Sequence, residues 1–89
     1  GNTPLHYASA NGHAYLVERL ITDGGMDIKI RNKEGNTPLH WAALNGKLES
    51  VKVLVKRDKT AVWEKNHAGF LPVFEAERNG QEGVVVFLL

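Results

Sequence analysis

The chain has 89 residues, 43% of them hydrophobic, with 11 basic side chains, 10 acidic ones and no cysteine. The net charge of +1 argues against a dedicated nucleic-acid or membrane-surface module. The missing cysteines remove a disulfide framework, a thiolate zinc site and a thiol nucleophile, and no apolar run is long enough to span a membrane.

Read in order, the chain repeats itself. Gly1-Asn2-Thr3-Pro4-Leu5-His6 returns as Gly35-Asn36-Thr37-Pro38-Leu39-His40, and Gly1, Gly35 and Gly69 stand 34 residues apart. The units are residues 1–34, 35–68 and 69–89, about two and a half in all. In the first unit, Thr3 as N-cap and Pro4 at the first helical position predict a helix through about Ala10. Asn11-Gly12 supplies a turn. A second helix follows, with Leu16, Val17, Leu20 and Ile21 on its apolar face. Residues 27–36 alternate Ile28 and Ile30 with Lys29 and Arg31, then turn through Asn32-Lys33-Glu34-Gly35, which predicts an exposed hairpin.

The second unit copies this plan. Its helices run from Pro38 through about Leu44, and then along a face of Leu48, Val51, Leu54 and Val55. Extra loop residues are placed near Gly24-Gly25 in unit one and near Asp58–Thr60 in unit two. The third unit departs from the pattern. Leu71-Pro72-Val73-Phe74 replaces Thr-Pro-Leu-His, which deletes the Thr cap, and Glu77 stands where Ser9 and Ala43 sit. A small residue there lets a neighbouring unit pack closely, so unit three reads as a C-terminal capping unit. Gly1 and the run Val84–Leu89 read as cuts in a longer sequence, and so short a solenoid is expected to be marginally stable.

Thr-Pro-Leu-His-x-Ala repeated in phase resembles the ankyrin family. The resemblance covers essentially the whole chain. It implies an all-α solenoid of helix-turn-helix pairs with β-hairpin loops projecting from one edge. It also implies that His6 and His40 bond to the Thr hydroxyl and bridge to the neighbouring turn. Residues 35–89, above all Val73-Phe74-Glu75-Ala76-Glu77-Arg78-Asn79-Gly80-Gln81-Glu82, look like a fungal ankyrin-repeat family of chaperones. Those proteins escort a newly made small-subunit ribosomal protein with a KH domain. That resemblance implies a cytoplasmic and nuclear protein with a basic ribosomal client. The alternative is a generic ankyrin scaffold or adaptor with an unrelated protein partner.

No catalytic constellation emerges. Ser9 and Ser50 lie within helices without a His–Asp arrangement, and Glu75 and Glu77, two apart, point to different sides of a helix. Equivalent histidines in stacked units stand about 10 Å apart, too far to share a zinc ion. Gly24-Gly25 and Gly46-Lys47 lack the spacing of a phosphate loop. The reading is therefore a non-enzyme without cofactor, metal, membrane, direct nucleic-acid contact or small-molecule substrate. Charge runs from net 0 in unit one to +3 in unit two and −2 in unit three. Lys52, Lys56, Arg57, Lys59 and Lys65 read as a solvated outer face, because no aromatic interleaves with them. The stripe on the first helices is the expected partner site. It runs Tyr7, Ala10 and Asn11, then Trp41, Leu44 and Asn45, then Glu75, Arg78 and Asn79. The tips Asn32-Lys33-Glu34 and Asn66-His67-Ala68 extend it.

Overall fold

The computed structural model describes residues 1–89. Three helix pairs follow one another: α1 Pro4–Ala10 with α2 Ala14–Thr22, α3 Pro38–Leu44 with α4 Leu48–Arg57, and α5 Pro72–Arg78 with α6 Glu82–Leu88. A 3₁₀ helix, Lys59–Trp63, follows α4, and there is no strand. No helix is long and apolar enough to cross a membrane.

The first helices start as the Thr-Pro pairs dictate. The Thr3 and Thr37 side chains accept from the backbone N–H of His6 and His40, while each histidine ring accepts from the N-cap backbone N–H. It is a reciprocal capping box with His at the position usually held by Glu or Gln. At Leu71 the side-chain cap is gone, yet Pro72 still opens α5. Each first helix ends on Asn followed by a left-handed glycine, Gly12, Gly46 or Gly80.

Helices α1, α3 and α5 form one layer, and α2, α4 and α6 the other. The first layer packs more tightly than the second, which bends the stack toward it. Ala8, Ala42 and Ala76 are buried in that layer and permit the close approach. Leu5, Leu39, Val17, Val51, Leu54 and Val84 fill the space between layers. The expected apolar face of α2 is rotated relative to this core. Val17 is buried and Leu20 and Ile21 are half-buried, but Leu16 is exposed. At the matching place in unit two, Ser50 is buried against its surroundings.

The expected hairpin at residues 27–36 is a pair of tight turns. Ile30 N–H donates to Asp27 O, and Lys29 N–H to the Asp27 carboxylate. Only one antiparallel rung forms, Asn32 N–H to Asn36 O at 3.0 Å. The remaining polar groups turn to the neighbouring unit, where His67 N–H donates to Glu34 O at 3.0 Å. A strand needs a ladder along its length, and none is left for this segment.

The Ser9 and Ser50 hydroxyls are buried with no hydrogen-bond partner. An orphan hydroxyl costs stability, and Ala43 already stands at the position of Ser9 in unit two. Ser9→Ala is expected to stabilise the protein by about 1 kcal/mol, measured as a higher urea midpoint. A lower midpoint would count against the orphaned assignment.

Candidate protein interaction surface

The units are stitched by side chains of recurring position. His6 Nε2 donates to Asn36 O at 2.7 Å, and His40 Nε2 to Phe70 O at 2.8 Å. Phe74 takes that position in unit three and makes no such bond; its ring lies 4.6 Å from Phe70 instead. Asn32 Nδ2 donates to Asn2 Oδ1, and Asn66 Nδ2 to Asn36 Oδ1, both at 2.9 Å. On the loop edge, Arg31 donates to Glu64 at 2.6 Å and to Lys65 O at 2.7 Å, and Lys29 reaches Thr60, Asp58 and Glu64. On the outer layer, Arg57 pairs with Glu18.

These bonds decide which candidate residues face outward. Tyr7 is 53% exposed and stands edge-on to half-buried Trp41, ring centroids 5.9 Å apart and planes at 81°. Trp41 also lies edge-on to the buried His6 ring at 5.6 Å, so its position is set from inside the stack. Ala10 and Leu44 are half-buried beside the aromatic pair. Asn11, Asn45 and Asn79 are exposed, but each Nδ2 caps its own helix by donating to Tyr7 O, Trp41 O or Glu75 O. Their free oxygens face solvent as acceptors.

Three candidates differ from the expectation of an open, partner-facing side chain. Asn32 is buried, because its Oδ1 accepts from Glu34 N–H and Asn36 N–H and holds the turn closed. Asn66 is buried in the same role. Glu75 is buried as well. Its Oε2 accepts from Asn66 Nδ2 at 2.8 Å, and its Oε1 faces Arg78 Nε at 3.3 Å. Its charge is spent inside the molecule. Arg78 remains exposed, with its guanidinium 5.2 Å above the Phe70 ring. At the turn tips only Lys33, Glu34, His67 and Ala68 face water.

Phe70 and Phe74 escape a reading built on repeat positions, because they replace Asn and His of the consensus. That substitution pattern was their one signal in the sequence. The basic set is also less free than its sequence implies: Lys52 faces Glu49 at 3.7 Å, and Arg57 is paired.

The description that matches this architecture is ankyrin repeats, in three copies, over residues 5–89. The chain belongs to the ankyrin-repeat family. No curated protein matches it. Ankyrin repeats are protein–protein interaction modules and, as a rule, scaffolds rather than enzymes. The ankyrin stack here presents an inner wall of Tyr7 and Trp41, grading into Arg78 and the Phe70–Phe74 pair.

Proposed function

We propose that this ankyrin-repeat protein holds a segment of a partner protein against its inner wall, with Tyr7 and Trp41 as anchors. The perpendicular ring pair across the boundary of units one and two carries the reading. Tyr and Trp supply large contact area at low entropy cost, and such anchors dominate binding energies. Lys33, Glu34, His67 and Arg78 form the polar rim that sets register. Trp41→Ala is expected to weaken a captured partner at least tenfold, a loss of about 1.4 kcal/mol or more, by calorimetric titration. Lys56→Ala, on the opposite layer, is the control. Equal losses from both variants would move the site off the inner wall.

A finer proposal names the partner as a KH-domain small-subunit ribosomal protein, newly made and awaiting assembly. It rests on the resemblance carried by residues 35–89 to ribosomal-protein chaperones. A cytoplasmic and nuclear location belongs to the same proposal. Glu75 does not supply attraction to a basic client, since Asn66 and Arg78 already occupy its oxygens. The chain mixed with that ribosomal protein should give a stoichiometric complex and keep it in solution. With no complex at micromolar concentrations, the general reading stands alone, a scaffold for an unrelated partner.

A further inference from the structure

Of the side chains along the inner wall, Arg78 alone carries an exposed charge; Glu75, the other ionised residue of the stripe, is buried and paired. Arg78 is also held in place. Glu75 Oε1 lies 3.3 Å from its Nε, and the Phe70 ring lies 5.2 Å beneath the guanidinium. The side chain is still 52% exposed, and no hydrogen bond within the chain takes up Nη1 or Nη2. That edge of a guanidinium is a flat fork that matches the two oxygens of a carboxylate. Two contacts fix the fork beforehand, so little side-chain freedom is lost when it is filled.

The place of Arg78 in the repeat keeps this edge on the wall. Its counterpart in unit two is Leu44, which has a unit stacked on either side and is still only half-buried. The position therefore faces the wall and not a boundary between units. Asn45 and Asn79, beside it, each spend Nδ2 on their own helix and leave Oδ1 for solvent. Those oxygens are acceptors and disfavour a carboxylate, which leaves Arg78 as the one charged donor on the wall.

We infer that the inner wall takes an acidic peptide segment. One Asp or Glu carboxylate docks bidentate on Nη1 and Nη2 of Arg78, while an apolar residue of the same segment packs on Trp41. The inference rests on the inner wall being the partner site. Trp41 on α3 and Arg78 on α5 belong to adjacent helices about 10 Å apart, so about three residues of extended chain separate the two contacts. Glu75 decides for a carboxylate over a phosphate. It offsets the charge of Arg78, and a dianion would meet its repulsion with no second cation on the wall.

Selection of random linear peptides on the chain tests this. Captured peptides should share an Asp or Glu about three residues from an aromatic or aliphatic side chain. Replacing that carboxylate by its amide should weaken a captured peptide about tenfold or more in calorimetric titration. This comparison uses the unaltered chain, so it does not depend on how any variant folds. Arg78→Gln should bind acid and amide alike, and Arg78→Lys should not recover the acid, since it keeps the charge but loses the fork. The inference is overturned if no peptide is captured, if captured peptides lack the acid, or if acid and amide bind the unaltered chain equally. It is also overturned if Arg78→Gln still prefers the acid, if Arg78→Lys binds it as tightly as Arg78 does, or if phosphoserine in its place binds more tightly. Trp41→Ala separates the two readings. Peptides weakened by Trp41→Ala but not by Arg78→Gln leave the wall as the partner site and sink the acidic segment; peptides indifferent to Trp41→Ala sink both.

Discussion

His40→Ala is expected to destabilise the protein by about 3 kcal/mol, lowering the thermal midpoint by about 12 °C or more. The ring is fully buried. Its Nδ1 accepts from the Thr37 N–H at 3.1 Å and lies 2.9 Å from the Thr37 hydroxyl, and its Nε2 donates to Phe70 O at 2.8 Å. Truncation leaves the Thr37 N–H and the Phe70 carbonyl without partners in the same stroke, and it cuts a bond that ties unit two to unit three. His6→Ala should cost less, because its Thr3 partner is only half-buried.

The same geometry makes stability depend on pH. With Nδ1 as acceptor and Nε2 as donor, the neutral ring fits and the imidazolium does not. Burial outweighs the bond to the Phe70 carbonyl and holds the pKa of His40 below its ordinary 6.5. Burial does the same for His6 against its bond to Asn36. The unfolded chain therefore takes up protons first as pH falls. The contribution of both rings is complete above pH 6.5 and is lost as pH falls through their lower folded values. Asp58, held below its ordinary 3.8 chiefly by the Thr60 hydroxyl, acts in the same direction but at more acid pH. Urea midpoints should fall between pH 8 and 5, and His40→Ala should flatten that slope. A midpoint independent of pH over this range would contradict the assignment of neutral, buried rings.

Gly35→Ala is expected to cost about 3 kcal/mol, and Gly80→Ala only about 1 kcal/mol. Both glycines have positive φ, +78° and +71°, so both substitutions carry the left-handed strain of a Cβ. They differ in what the new methyl meets. At Gly35 it would lie 2.8 Å from the His67 backbone nitrogen and closer still to the ring. The His67 N–H donates to Glu34 O, so the turn that ends unit two must be pushed off the turn that ends unit one. At Gly80 nothing stands within 4 Å. The difference between the two unfolding free energies, measured in urea, isolates the close approach between units. Equal losses would mean that strain alone governs both positions.

The local parts of this fold are legible in the residues themselves. Thr-Pro at a helix start, Asn-Gly at its end and apolar residues three and four apart each act within one turn, so α1 to α4 begin and end where those signals lie. The period of 34 residues also carries the architecture, since a helix pair with one apolar face is buried only by stacking on its copies.

Orientation and exposure at the candidate site belong to the stack. Leu16 and Ser50 exchange the roles their hydrophobicity implies, because burial there depends on whether a neighbouring unit lies against α2 or α4. Asn32 and Asn66 look like exposed loop tips in sequence, yet each bonds to a side chain 30 residues away. Glu75 looks like a free charge until Asn66 and Arg78 close on it. Tyr7 and Trp41, 34 residues apart, become one aromatic wall only when α1 lies against α3. The sequence by itself determined the repeat and the helices, because those rest on contacts within a few residues. The tertiary structure decided which polar groups are spent holding units together and which remain for a partner, because the bonds of Asn32 to Asn2, of Asn66 to Asn36 and of Asn66 to Glu75 join one repeat to the next.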